Sequence, residues 1–436
     1  MVSCLRVQRI SLHLLKLPLR QPYKLAFCPV RAFDSLIVTV TGDGGETGFG
    51  EATILFMLEN GMTNPMSSVD PDGLLEYSVV FSDRSLNHMS MSFQEVMRDI
   101  SATLKKIYHA KATAVVPGGG TYAMEAVAWQ FATGNKCLVI RNGWFSYRWT
   151  QIFEAGNIPS EEIVLKARLL EEGNQAAFAP APIEDVVAAI ESEKPDVVFA
   201  PHVETSSGII LPDDYLLSIA NAVHSVGGLF VLDCIASGTI WVDMEAMGVD
   251  VLISAPQKGW SASPCGGLVM LGIQARDKID TTTSSSFACD LRKWLQIMEA
   301  YENGGHAYHA TMPTDDLVKF RNAMKETEEY GFEKVRAEQW ELGEKVRALL
   351  VSKGYRSVAA EGFQAPGVVV SYTDNVDIHT GKTFAELGMQ IAAGVPLHCD
   401  EPEDFQTFRL GLFGLDKLHG IDRTVDNLAN VLNQIP

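Results

Sequence analysis

The heptapeptide SAPQKGW, residues 254–260, carries one lysine, Lys258, directly after the apolar run GVDVLISA and among small and turn-forming residues. An ordinary lysine there would run its stem along the surface and keep its ammonium in water. A lysine that ends a buried strand needs another reason. Asp233 raises the same question 25 residues earlier, at the end of the run LFVL, because a carboxylate there is costly unless a cation or hydrogen-bond donors meet it. Further upstream lies PGGGTYAMEA, residues 117–126, where a strand feeds a helix. Its glycines let a ligand come close to the backbone, the helix start offers free N–H groups to an anion, and Thr121 adds a hydroxyl. That suits a phosphate.

Together these three elements point to pyridoxal phosphate. The amine of Lys258 can form an imine with the cofactor aldehyde, and Asp233 can hold the pyridine nitrogen protonated so that the ring accepts electrons. Each element alone is weak, since a glycine-rich turn or a solvated lysine is commonplace. A second reading of the same turn stays open: Gly118, Gly120 and Ala123 satisfy the dinucleotide pattern GxGxxA. That pattern wants an acidic residue near the end of the next strand, whereas in CLVIRNG the apolar run is followed by Arg141 and Asn142. An arginine there suits a 2′-phosphate, so an NADP-dependent oxidoreductase is the rival of a different class.

The elements that must position these residues follow from the hydrophobic pattern. From about residue 111, strand-like segments with apolar runs of about five to seven residues (ATAVVPGG, CLVIRNG, PDVVFAPH, LFVLDC, GVDVLISA, GGLVMLG) are interspersed with helical stretches. This is the signature of an α/β fold with a mostly parallel central sheet covered on both faces. In such sheets ligands bind beyond the carboxyl ends of the strands, where Lys258 and Asp233 fall. After HATMP the long charged helical pattern DDLVKFRNAMKETEEYGFEKVRAEQWELGEKVRALLVSKG leads into GVVVSYT and FRLGLFG, the mark of a smaller C-terminal α+β domain. Ahead of all this, VQRISLHLLKLPLR and DSLIVTVTGDGGETGFGEA alternate in the strand manner around a GDGG turn, which predicts an appended antiparallel β segment. The organisation expected is residues 1–55 for that segment, 56–330 for the large domain and 331–436 for the small one.

The 436 residues are 47% hydrophobic and 20% charged, as in ordinary globular proteins. A net charge of −19 argues against nucleic acid or an anionic membrane as partner. Seven scattered cysteines suggest neither a zinc site nor a disulfide framework, and no apolar run is long enough to span a bilayer. A cytoplasmic location is expected. The first 33 residues hold six basic and no acidic side chains, which mimics an organellar targeting peptide.

Residues 80–430 resemble the class V aminotransferases of fold type I, most of all the alanine–glyoxylate aminotransferase group. SAPQKGW is similar to the family's Ser-x-x-Gln-Lys segment, which implies that Lys258 is the Schiff-base lysine and that Gln257 lies near the cofactor phosphate. LDCIAS matches the strand end that gives Asp233 the pyridine-nitrogen role. GGGTYAMEA corresponds to the phosphate turn, which brings in Gly119, Gly120 and Thr121. NGWFSYRW resembles the segment whose aromatic stacks on the ring, here Phe145, and HVETSSG the turn that sets Thr205 near the ring oxygen. YHATMP resembles a segment that crosses a dimer interface, so Tyr308 and Thr311 would reach the phosphate of a neighbouring subunit and the expected partner is a second copy of the chain. FRLGLFG matches the strand whose arginine, Arg409, grips the substrate carboxylate.

The family's opening Pro-Gly-Pro turn is missing: the region reads MTNPMSSVDPDGLLEYSVVFSDRSLNH, although DRSLNHMSMSF still resembles the next segment through His88 and Phe93. The resemblance implies transamination between an amino acid and a small 2-oxo acid, glyoxylate or pyruvate, with the acceptor site altered by that departure. A cysteine desulfurase or related lyase on the same fold would need a loop cysteine, for which Cys289 is a poor candidate. A non-catalytic assembly protein would bind no cofactor. His306 and His309 are spaced like a metal pair, yet within this family they fall in the interface loop, and no metal is expected. The first 55 residues resemble, through LPLRQPYKLAF, SLIVTV and GFGEA, the opening of the capping domain of enolase-superfamily enzymes, whose catalytic barrel has no counterpart here.

Overall fold

A computed structural model describes residues 7–24, 29–42, 47–54 and 70–435 of the chain. The chain divides into two compact units, Met1–Ser68 and Val69–Pro436. The first is a three-stranded antiparallel sheet of β1 (Val7–Lys24), β2 (Pro29–Gly42) and β3 (Thr47–Ile54), in that order. Ile10 and Leu12 lie opposite Val40 and Val38, so the two-residue alternation of the strands sets these four on one face. The β1–β2 register slips between Pro18 and Tyr23, where Pro18 and Pro22 cannot donate to the ladder. Residues 43–45 of the GDGG turn and the expected boundary after residue 55 lie outside the described residues.

The second unit is built on a seven-stranded sheet. Its strands are β4 (Ala112–Pro117), β5 (Lys136–Arg141), β6 (Glu161–Lys166), β9 (Val197–Pro201), β10 (Leu229–Asp233), β11 (Val251–Ser254) and β12 (Gly266–Leu271), with a short hairpin, β7 (Arg168–Leu169) and β8 (Phe178–Ala179), beside them. The order is β4-β12-β11-β10-β9-β5-β6. Strands β11, β10, β9, β5 and β6 run parallel, and β12 is antiparallel to both β11 and β4. The mostly parallel sheet expected from the apolar runs is therefore present, with one reversed strand that an apolar run cannot announce. Every residue of β9, β10, β11 and β12 is buried, which is why these strands read as unbroken apolar runs.

Three helices flank the sheet near its first strands: α1 (Met91–Tyr108), α2 (Gly120–Val127) and α3 (Trp144–Gly156). Helix α2 follows β4, and α3 follows β5. Because β12 is antiparallel to both β4 and β11, β4 points the same way as the parallel strands. Gly118–Thr121, Asn142–Phe145, His202–Gly208, Asp233 and Lys258 thus gather along one edge of the sheet.

The long charged pattern after residue 314 forms two helices, Thr314–Tyr330 and Phe332–Ser352, rather than one. Gly331 separates them with φ +107°, a conformation that residues with a Cβ avoid. They lead to a small antiparallel sheet of β13 (Val368–Tyr372), β14 (Ala392–Ala393) and β15 (Thr407–Gly411), ordered β13-β15-β14. A second apolar cluster that includes Phe178, Val203, Ile209, Val368, Val370 and Leu397 joins this sheet to the turn after β9. The Ala365 N–H also donates to the Gly208 carbonyl (2.8 Å). Strand β15, which carries Arg409, is positioned by these contacts.

Candidate active site

Lys258 sits in a compact turn after β11. Its carbonyl accepts from the Ser261 N–H and that of Pro256 from the Ala262 N–H, both at 3.1 Å. A Cβ on Gly259 would stand 1.9 Å from the Gly238 carbonyl oxygen, so glycine is required where the two turns touch. Trp260 is fully buried, with its ring 4.6 Å from that of Trp241 and 6.1 Å from that of Phe332. The neighbours thus pin the turn from below and leave Lys258 half-buried, its Nζ 5.0 Å from the centre of the Phe413 ring. Burial first, and the charge of Arg409 second, hold its pKa below the usual lysine value. The neutral, nucleophilic amine is correspondingly easier to reach.

Asp233, at the carboxyl end of β10, is 7% exposed. Its Oδ1 accepts from the Ile235 N–H (2.9 Å), and no Lys or Arg pairs with it among the described residues. Burial drives its pKa up to about 7, the charge of Glu204 adds to the rise, and the Ile235 hydrogen bond and Arg148 oppose it. A carboxyl whose pKa is raised by folding gives stability that is complete below its ordinary value near 4 and is lost as pH rises through about 7. Asp233→Asn, which cannot ionise, should therefore stabilise the cofactor-free protein by an amount that grows over this range and levels off above it, on the order of 4 kcal/mol. Thermal unfolding of both proteins at pH 5 and pH 8 checks this. Equal gaps in Tm at the two pH values would mean that the carboxylate already has a partner.

The glycine turn abuts this strand end, since a Cβ on Gly120 would lie 2.5 Å from the Ile235 side chain. Gly118 has φ +123°, Gly119 caps α2 with open space where a side chain would be, and Thr121 is exposed in the first turn. Arg148 Nη1 donates to Thr121 Oγ1 (2.9 Å). The same guanidinium lies 5.1 Å from the centre of the Phe145 ring, and that of Arg409 lies 5.7 Å from it. Phe145 is thus flanked by two guanidinium groups. Arg409 is fixed by its Nε, which donates to the Ala393 carbonyl (2.7 Å).

Phe145 is itself held by a carboxylate of the HVETSSG turn to which the sequence analysis gives no role. Glu204 is fully buried and accepts from the N–H groups of Phe145 (3.2 Å), Ser146 (2.8 Å) and Ser206 (3.0 Å), and from the hydroxyls of Ser146 and Ser206, both at 2.7 Å. Five donors and the amino end of α3 offset the cost of burying this charge. A Cβ on Gly143 would come within 2.8 Å of the Glu204 side chain, which explains the glycine before α3. Thr205 lies next to this carboxylate in the turn.

The structure therefore brings Lys258, Asp233, Phe145, Arg409, Gly119, Gly120 and Thr121 to one region, and adds Glu204, Arg148 and Phe413. Gln257 sits beside the lysine with a buried Oε1 that has no partner. Tyr308 and Thr311 stand apart: their hydroxyls bond to each other (3.1 Å), and the Tyr308 ring packs 5.4 Å from His88. His309 engages the Phe287 carbonyl through Nε2 (2.7 Å), and burial pushes the Cys289 thiol up, away from a reactive thiolate. A buried carboxylate with no cation paired to it among the described residues, a half-buried amine of lowered pKa and an open glycine turn suit a group that carries a cationic ring nitrogen, an aldehyde and a phosphate. Pyridoxal phosphate has all three.

A family model described as Aminotransferase class-V matches residues 74–407. The chain is 24% identical over 366 residues to the alanine–glyoxylate aminotransferase of Callithrix jacchus, covering 80% of this chain and 83% of that protein. It is 25% identical over 358 residues to a protein of Synechococcus sp. named soluble hydrogenase, small subunit, covering 80% and 88%. Among solved structures, the alanine–glyoxylate aminotransferase of Nostoc sp. matches with a TM-score of 0.67 at 21% identity, over 80% of this chain and 89% of that one. This last likeness shows a shared fold.

Proposed function

The chain belongs to the class V aminotransferase family, and from that premise we propose that the site around Lys258 moves an amino group from an amino acid to a small 2-oxo acid, glyoxylate or pyruvate. The protein is a pyridoxal-phosphate-dependent aminotransferase. The observation that supports the site assignment is the presence, at one sheet edge, of a half-buried lysine of lowered pKa and a buried aspartate that has no cation partner among the described residues.

When bound, the cofactor supplies an electrophilic aldehyde carbon and a ring that accepts electrons. Lys258 Nζ would hold that aldehyde carbon, and Asp233 would hold the proton on the ring nitrogen. Gly119, Gly120, Thr121 and Gln257 would take the phosphate, while Phe145 and Thr205 would border the ring. With the cofactor bound, the Lys258 amine would take the proton from the substrate α-carbon and give it up again at the carbon that had carried the aldehyde oxygen, acting as general base and then acid. Arg409 binds the substrate carboxylate through two parallel N–H donors.

Tyr308 and Thr311 would serve the phosphate of a second subunit in a homodimer, a reading supported by the exposed apolar side chains of Tyr77, Val79, Phe287 and Tyr308. Residues 1–55, 56–330 and 331–436 would form the appended segment, the cofactor-binding domain and the small domain. No helix among the described residues is long and apolar enough to cross a membrane, and a cytoplasmic location is the one proposed.

The test is direct. The purified protein loaded with pyridoxal phosphate should absorb in the visible range, and borohydride reduction followed by peptide mapping should place the modification on Lys258. A label on another lysine would refute the site, and no bound cofactor would refute the function.

A further inference from the structure

We propose that His398 is a positioning residue that latches onto α3 the loop following β14, the strand that bears Arg409's backbone anchor, and so sets the grip on the substrate carboxylate; the latch presupposes the aminotransferase function. The first turn of α3 presents two faces. Phe145 and Arg148, three residues apart, point to Arg409 and Thr121. Trp144 and Tyr147, also three apart and hence neighbours on the helix, meet His398: its ring stacks on Tyr147 with centres 4.2 Å apart at 22°, and lies 5.0 Å from the Trp144 ring. Arg141, at the end of β5, covers the Tyr147 ring at 4.7 Å.

His398 is five residues beyond Ala393, whose carbonyl receives Arg409 Nε. The chain between them has little freedom. A Cβ on Gly394 would lie 2.2 Å from the Thr407 carbonyl oxygen, and Leu397 and Cys399 are buried on either side of the exposed histidine. The Glu401 carboxylate collects the N–H groups of Leu397 (2.6 Å), His398 (3.0 Å) and Cys399 (2.8 Å). His398 and Asp400 adopt φ +58° and +60°, a region that side chains with a Cβ occupy only where their surroundings impose it. Two further links join the loop to the same sheet edge, Cys399 Sγ to the Arg141 carbonyl (3.3 Å) and Lys166 to Asp400 (2.6 Å).

Phe145 stands on α3, which follows β5 of the large sheet, and Arg409 on β15 of the small one, so the separation of ring and guanidinium depends on what fastens the two. A bidentate grip tolerates displacements of only about half an ångström. Loosening the latch weakens carboxylate binding in ground and transition states alike, which raises KM and spares kcat.

The experiment uses the cofactor-loaded full chain with L-alanine and glyoxylate. His398→Ala, and Tyr147→Leu, which removes the stack without touching the loop backbone, should each raise KM for L-alanine about 10-fold with kcat changed less than about 3-fold. Cofactor affinity, read by absorbance titration, should not move. His398→Phe, which restores the stack, should bring KM back to within about 3-fold of wild type. Amide hydrogen exchange at Leu397, His398 and Cys399 should quicken in the first two variants and recover in the third. Unchanged KM in both stack-breaking variants overturns the latch, as does failure of phenylalanine to rescue, which would make the imidazole a direct ligand. A wild-type protein inert toward L-alanine and the other common amino acids overturns the function, and the latch with it.

Discussion

Lys258→Ala should abolish amino-group exchange while leaving the protein folded. The amine has two tasks, holding the cofactor and shuttling the α-proton, and alanine performs neither. Loss of a positioned general base alone costs about 10²–10⁴ in rate, and loss of the covalent hold adds to that, so turnover should fall by about four orders of magnitude or more. The fold should survive, because Trp260 anchors the turn and the backbone bonds of Pro256 and Lys258 involve no side chain. Rapid mixing of the loaded variant with L-alanine provides the measurement, with wild type beside it. Exchange at the wild-type rate would show that another amine does the work.

Arg409→Lys should have the next largest effect, and through a different constant. Lysine keeps the charge and loses the planar fork that meets both oxygens of a carboxylate. Its ammonium would also lose the bond that Arg409 Nε makes to the Ala393 carbonyl and the place that the guanidinium holds against Phe145. An increase in KM for the amino acid of about 10²-fold is expected, equivalent to about 3 kcal/mol. Cofactor affinity should hold, because Arg409 serves the substrate. Saturation kinetics with L-alanine separate the two constants, and an unchanged KM would remove Arg409 from the substrate site.

Much of the site can be read in the chain because its parts depend on local backbone rules. Strand ends, a glycine turn before a helix and a lysine after an apolar run each signal themselves over a few residues, and Lys258, Asp233 and Gly120 fall in such segments. Glu204 does not announce itself in this way. Its five donors come from two turns about sixty residues apart in sequence, and a glutamate in a polar turn looks like any solvated one until the fold brings α3 to it. Arg148 is obscured for the same reason, since its partner Thr121 is 27 residues upstream. The reversed direction of β12 and the stack of His398 on Tyr147 are likewise tertiary facts. The helix break at Gly331 is legible in the sequence, because a glycine between two charged helical stretches is a stop signal.

The bare contact between Gly259 and Gly238 has a consequence for how such an enzyme can be remade. The two turns that display the amine and the carboxylate meet main chain to main chain, with no side chain as a shim. Whoever redesigns the rim to admit a bulkier or more polar amino acid can exchange residues around the opening without altering the gauge between the two reactive groups. Retuning that gauge demands a change at one of the two glycines.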